Sequence, residues 1–174
     1  MSKNMYDVII VGGGASGMVA ALSAQEAGAS VAILERNPRV GKKILATGNG
    51  RCNFTNVNTR IENYHGADPA FIKAALSAFD VQKTLGFFER LGIAPKVEDM
   101  GKVFPMSDQA SSVLDVLRFA LEHAGVQVLT DSFVTGIRQA GDGFRLELED
   151  RRTVAGKNVV LACGGKAMPS SGSD

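Results

Sequence analysis

Cysteine is scarce in this 174-residue chain: Cys52 and Cys163 stand far apart, which is not the spacing of a disulfide framework. Histidine is equally scarce. His65 and His123 have no partners at ligand spacing, so no structural metal is expected. Neither sign of charge is in excess, because 19 Lys and Arg against 18 Asp and Glu leave a net charge of +1. That balance supplies no basic field for nucleic acid and no charge block for an interaction tail. A run of ~18 apolar residues, which a membrane span needs, is missing as well. The first apolar stretch starts so close to Met1 that a signal peptide finds no room ahead of it. Together these absences predict a cytoplasmic protein without nucleic-acid, membrane or metal partners, and they indicate no oligomeric state. The length suffices for one domain burying about 70% of its unfolded surface.

What is present begins at residue 7. Val8, Ile9, Ile10 and Val11 form the continuous apolar run of a strand covered on both faces. Gly12, Gly14 and Gly17 follow at G-x-G-x-x-G spacing. The first glycine permits a tight turn, the second lets backbone approach a pyrophosphate, and the third brings a helix close to its strand. The helix carries Ala20, Ala21, Ala24 and Ala27, with Gly28 as its C-cap. A second apolar run, Val31 to Leu34, ends in Glu35, about 20 residues after the glycines, where a carboxylate can accept ribose hydroxyls. Strand, glycine turn, helix, strand and acid make one βαβ unit that predicts a dinucleotide on the helix N-terminus.

Beyond Glu35 the loop 36–43 is basic, and Arg36, Lys42 and Lys43 can reach phosphate or ribose or remain solvated. Residues 44–56 are too rich in Gly, Asn and Thr for a helix or strand interior. They read as a functional loop around Arg51 and Cys52. Residues 61–104 read as a helical excursion. Asp68 and Pro69 open a helix striped by Phe71, Ile72, Ala75, Leu76 and Phe79; Asp80 caps a second with Val81, Leu85, Phe88 and Leu91 inward. The aromatics are read as core. Extended pieces at 94–97 and 102–104 follow.

Residues 105–108 cap an amphipathic helix with Val113, Leu114, Leu117, Ala120, Leu121 and Ala124 on one face, stopped by Gly125. His123 suits the dipole of its last turn. A strand at 126–129 returns the chain to the parallel sheet. Residues 132–155 change to a period of two, with Phe144, Leu146 and Leu148 alternating with charge. Gly141-Asp142-Gly143 is a hairpin turn, and 153–155 completes a three-stranded antiparallel β-meander. A further buried strand is expected from Asn158 into Gly164 and Gly165. The predicted class is α/β, a Rossmann-like dinucleotide-binding domain with a parallel sheet, crossover helices and that meander, which the resemblance below makes FAD-binding.

That order of parts resembles a glutathione-reductase-type FAD domain. More narrowly, three stretches resemble the BaiN/YhiN-type family of FAD-dependent oxidoreductases: 41–56 (GKKILATGNGRCNFTN), 101–108 (GKVFPMSD) and 161–174 (LACGGKAMPSSGSD). The resemblance implies that Gly12, Gly14, Ala15, Ser16 and Gly17 line the FAD diphosphate and that Glu35 holds the adenosine ribose, flanked by Arg36 and Lys43. It implies that Gly48, Asn49, Gly50, Arg51, Cys52 and Asn53 run beside the flavin and its ribityl chain. Val134 would contact adenine through its backbone, and Ala162, Gly164 and Gly165 would pack on the cofactor. Members of the family are considerably longer. They carry a substrate domain after the Ala-Cys-Gly-Gly strand and a closing FAD segment, so residues 1–174 are expected to be an incomplete FAD-binding domain.

The implied activity is hydride transfer through FAD from NADH or NADPH to an unsaturated small molecule, with catalytic residues unassigned. Arg51 would act as a fixed cation stabilising negative charge on the reduced flavin. Cys52 and Cys163 lack a C-x-x-C partner and are read as packing beside the cofactor rather than exchanging disulfides. Two rival readings are an NAD-binding dehydrogenase and a non-enzymatic flavin-binding fragment.

Overall fold

β-Branched residues at the start of the chain make its central strands. β1 (Tyr6–Val11) and β2 (Val31–Leu34) pair in parallel, with Ile9, Ile10 and all four β2 residues buried. The computed structural model describes residues 5–66 and 68–166. Residues 167–174 of the third family-like stretch lie outside that range. Within it the chain divides into two compact units, Met1–Ile44 with Leu117–Asp174, and Leu45–Val116. Among the described residues no helix is long and apolar enough to cross a membrane.

The first unit is organised on a six-stranded sheet. α1 (Ala15–Glu26) packs on β1 and β2 through Gly17, Met18, Ala21 and Leu22. It ends in a Schellman arrangement: Gly28 at φ +83° donates to Gln25 O and Ala29 donates to Ala24 O. β6 (Gln127–Leu129) adds in parallel to β2, as the 126–129 pattern predicts. β7 (Val134–Ala140) and β8 (Gly143–Leu148) form the expected hairpin around Gly141 and Asp142, and β9 (Thr153–Leu161) continues it. The order is β6-β2-β1-β9-β8-β7. Leu146, Leu148 and Val154 of the hairpin side meet Ile9 and Leu34 in one core cluster. Each such aliphatic side chain contributes about 1.5–3 kcal/mol by leaving water.

Two expectations change here. Residues 153–155 and 158–161 are not separate strands but one, β9, which pairs antiparallel with β8 up to Gly156 and parallel with β1 through Leu161. Gly156 is where the two pairings meet, and a Cβ there would lie 2.7 Å from the Ile9 side chain. The second half of β9 is also not buried, since Val160 is 37% and Leu161 68% exposed. Past Gly156, β9 pairs with β1 on one side only, and among the described residues no strand pairs with its other side.

The second unit carries a small antiparallel sheet in the order β3-β5-β4: β3 (Thr55–Asn56), β5 (Lys102–Pro105) and β4 (Pro95–Val97). β4 and β5 are the two anticipated extended pieces. β3 emerges from a stretch whose Gly and Asn content reads as loop alone. The helix anticipated from Asp68 is instead a 3-10 turn (Pro69–Ile72) followed by the short α2 (Lys73–Ala78), and its apolar stripe is not core: Phe71 is 83% exposed. Six residues of helix present too little face to bury a stripe. α3 (Val81–Arg90) is capped by Asp80, whose side chain accepts from Lys83 N. Its inward face is half-buried, with Phe88 against Phe54 at 4.7 Å between ring centroids. α4 (Ala110–His123) buries Val113, Leu114, Leu117 and Leu121 as its periodicity predicts, and the boundary between the units falls within it.

Candidate cofactor site

The glycine turn in the first unit is set by close contacts between backbones. Gly12 has φ +106°, and a Cβ there would sit 2.5 Å from Ala162 O; Gly12 N donates to Leu34 O at 2.8 Å. A Cβ on Gly17 would sit 1.9 Å from Gly12 O, so helix α1 approaches β1 only because residue 17 has no side chain. Gly14 differs from both. It is the N-cap of α1 in an extended conformation, and a Cβ there would meet nothing within 4 Å. No side chain caps the helix and no acid stands in its first turn, while Ala15 and Ser16 are exposed. Unpaired N–H groups beside open space, at the positive end of a helix, suit a pyrophosphate. The residues present therefore fit the diphosphate of FAD.

Glu35 is buried, 8% exposed, and is engaged with this same turn. Its Oε2 accepts from Gly13 N at 2.8 Å, and its Oε1 accepts from Asn37 N at 2.8 Å and Asn37 Nδ2 at 2.6 Å. Gly13 has its own steric demand, since a Cβ would lie 2.4 Å from Val40 Cγ1. The loop over it is pinned where Gly41 N donates to Gly13 O and Arg118 Nη2 donates to Val40 O. Ser132 N donates to Glu35 O and Asp131 N to Asn37 O, which ties the entry of the meander to the acidic end of β2. There Arg36 lies over the Phe133 ring at 5.6 Å, a cation–π distance. Val134 is half-buried on the core cluster, beside an irregularity in pairing between Val134 and Gly136. Ala162 N donates to Val11 O, and a Cβ on Gly164, at φ +81°, would lie 3.4 Å from Lys43 Nζ. Gly165 is open. The structure thus brings together Gly12, Gly14, Ala15, Ser16, Gly17, Glu35, Arg36, Lys43, Val134, Ala162, Gly164 and Gly165 within one unit.

The residues at 48–53 belong to the second unit. Gly48, Asn49 and Gly50 are consecutive left-handed residues at φ +54°, +56° and +83°, and Cys52 follows at +62°. Left-handed residues normally occur singly, because L side chains crowd the carbonyl there. The run is held by Cys52 N donating to Thr47 O and by Arg51 N donating to Gly48 O. A Cβ on Gly48 would press on Asn53 N at 2.5 Å. Asn53, with its amide nitrogen turned inward, donates to Thr55 O and Val103 O.

Arg51 is a fixed cation, as expected, but its charge is already paired. Its Nη2 donates to Glu98 Oε1 and Asp108 Oδ1, both at 2.5 Å, and its guanidinium lies 4.1 Å from the Phe104 ring centroid. Lys96 Nζ reaches Glu98 at 2.9 Å and Asp108 at 2.5 Å, completing a neutral square of two cations and two anions. Hydrogen bonds from Arg51 and Lys96 hold the Glu98 carboxyl below its ordinary range. Those from Lys96 and Arg51 do the same for Asp108. Asp108, at φ +54°, thus spends its carboxylate on Lys96 and Arg51, and α4 begins without it at Ala110. Burial pushes the Cys52 thiol up, partly offset by a hydrogen bond with Thr47, which disfavours its thiolate form.

Residue patterns alone miss Gly13, Asn37, Lys96 and Glu98. Gly13 stands in view within the run 12–14, and Asp108 falls in the family-like stretch 101–108. Nothing in the sequence signals that Glu98 pairs with Arg51, 47 positions earlier, or that Lys96 shares Glu98 and Asp108 with it.

The HI0933-like protein Rossmann domain model matches residues 6–174. Over 98% of its length the chain is 46% identical to 3-dehydro-bile acid delta(4,6)-reductase of Clostridium scindens, and over 96% it is 34% identical to ribosomal RNA dihydrouridine synthase of Escherichia coli. It spans only 42% and 41% of these relatives. One is named for a small molecule and the other for ribosomal RNA, so the exclusion of nucleic acid read from charge does not extend across the relatives. Among solved structures, 3-ketosteroid-delta4-(5alpha)-dehydrogenase from Rhodococcus jostii superposes over 95% of this chain and 47% of that one, with TM-score 0.68 and 20% identity, a likeness of fold. The chain belongs to the HI0933-like family and has the Rossmann-like FAD-binding α/β fold.

Proposed function

We propose that this chain is the FAD-holding part of an oxidoreductase that reduces a carbon–carbon double bond conjugated to a carbonyl, with NADH or NADPH as electron source. The observation that carries the FAD reading is the open, uncapped helix N-terminus at Gly14, set between the steric stops of Gly12 and Gly17 and facing the buried Glu35. FAD, when bound, supplies acceptance and donation of hydride. The chain supplies position: helix α1 N–H groups for the diphosphate, Glu35 for ribose, the Arg36–Phe133 pair and the Val134 backbone at the adenine end, and Lys43, Ala162, Gly164 and Gly165 along the other side. Gly48, Asn49, Gly50, Arg51, Cys52 and Asn53 would run beside the flavin and its ribityl chain, as the family resemblance implies. Because Glu98 and Asp108 neutralise Arg51, that residue orients the loop more than it adds charge.

The relatives' names support this substrate class. One is named a 3-dehydro-bile acid delta(4,6)-reductase and the other a ribosomal RNA dihydrouridine synthase, and a dienone and a uracil ring each hold a double bond conjugated to a carbonyl. Substrate-binding residues would come from the additional length those relatives possess. The two free cysteines suit a reducing compartment such as the cytoplasm. The test is titration of the purified chain with FAD, followed by the change in flavin fluorescence, and with NAD, followed by calorimetry. FAD binding is expected, whereas NAD binding without FAD binding would sink the reading. In a chain of the relatives' length, anaerobic NADH or NADPH should bleach the flavin absorbance at ~450 nm, and a 3-oxo-Δ4,6 steroid or uridine-containing RNA should restore it.

A further inference from the structure

Both oxygens of Glu35 are already engaged by this chain. Gly13 N donates to Oε2 at 2.8 Å, and the backbone and side-chain nitrogens of Asn37 donate to Oε1 at 2.8 and 2.6 Å. The Asn37 amide must present its nitrogen there, because an amide oxygen so near a carboxylate oxygen would be repelled. A carboxylate offers about four lone-pair sites. Three donors leave one, on Oε2. The arrangement is firm at both ends: Glu35 is 8% exposed, and Asn37 O accepts from Asp131 N at 3.3 Å.

A ribose presents two neighbouring hydroxyls, and an unencumbered carboxylate can take one on each oxygen. We propose that Asn37 is a positioning residue that saturates Oε1, so that Glu35 holds a single hydroxyl of the adenosine ribose and is indifferent to the other. This inference rests on the FAD reading above. Its specificity comes from Asn37 Nδ2, since the backbone N–H of residue 37 occupies only one of the two sites on Oε1. Removing the side chain reopens the second site and lets the other hydroxyl bind.

The experiment measures affinity of the whole chain, by flavin fluorescence, for FAD and for two FAD analogues lacking the adenosine 2′- or 3′-hydroxyl. One analogue should bind about tenfold or more weakly and the other within about twofold of FAD, the scale of one hydrogen bond to a charged group. In Asn37→Ala the discrimination should collapse, with both analogues weakened to a similar extent relative to FAD. Equal losses in the unsubstituted chain overturn the inference and leave the FAD reading intact, a result that does not depend on the variant folding. Discrimination persisting unchanged in Asn37→Ala overturns the role of Asn37. A chain that binds no FAD overturns both.

Discussion

The glycine turn at 12–17 and the loop at 48–53 both rely on glycine, and they are stabilised in opposite ways. In the first, contacts between backbones decide: Ala162 O stands against Gly12, and Gly12 O against Gly17. The forces are short-ranged and indifferent to pH and salt. In the second, three successive left-handed residues are followed by an arginine held by Glu98 and Asp108. Its charged side chains are about a third exposed, 31–41%, so solvent and salt screen them. One region is rigid by exclusion and the other by charge.

The sharpest way to break this contrast is Gly17→Ala. Alanine favours helix, but its Cβ would lie 1.9 Å from Gly12 O, and neither backbone can yield without moving β1 from α1. Overpacking of this kind should cost about 3 kcal/mol or more, read from the urea midpoint. Retained stability would show that the turn is softer than its contacts imply. Gly14→Ala separates folding from binding within the same turn. Its φ of −77° suits any residue and its Cβ meets nothing within 4 Å, so the thermal midpoint should change by less than about 1 kcal/mol equivalent. FAD affinity should still fall about tenfold or more, because the methyl occupies the approach to the diphosphate. Loss of stability in step with affinity would refute the separation.

In the second unit, Asp108→Asn removes one of the two negative charges shared by Arg51 and Lys96. The expected effect is local. Cys52, buried and adjacent to Arg51, should become several-fold more reactive toward 4,4′-dithiodipyridine, while exposed Cys163 serves as the internal reference. The increase should shrink in high salt, where the intact square is itself screened. Unchanged Cys52 reactivity would mean that backbone hydrogen bonds alone hold the loop.

The same contrast explains what could be read in advance. The turn, β1, α1, β2 and Glu35 are legible because local spacing and steric need coincide within thirty residues. The amphipathic α4 and the β7–β8 hairpin are legible because their periods are long and regular. The continuity of β9 is hidden, since Gly156 reads as a break and proves to be the point where two pairings meet. Phe71 reads as core by spacing and is exposed because its helix is too short to bury it. Arg51 is conspicuous in the sequence, but its partners are not. They come from the turn after β4 and from the entry to α4, and only the fold assembles them. Asn37 is hidden for a subtler reason: it acts through Glu35 and resembles any turn residue.

The gentlest probe is acid. Glu98 and Asp108 have folded pKa values below their unfolded values near 4, so the square contributes fully above that pH. Its contribution is lost as pH falls through the depressed folded values. Lys96 is shifted upward, chiefly by Asp108 and then Glu98, so its share is complete below about pH 10 and lost as pH rises beyond. The first unit has an acid-labile staple of its own. Asp7 is held low first by Lys157 and then by Ser30, joining the start of β1 to β9 and to the approach to β2. That staple lies away from Gly12, so its protonation should leave the glycine turn in place. As pH falls below about 4, Cys52 reactivity, corrected by Cys163 for the pH dependence of the thiols, should rise in the unsubstituted chain. It should be nearly flat in Asp108→Asn, where the loop is already loosened. In Asp7→Asn the rise should persist, because that substitution touches only the first unit. A rise abolished by Asp7→Asn and kept in Asp108→Asn would reverse the assignment, making the acid response a property of the sheet rather than of the charged loop.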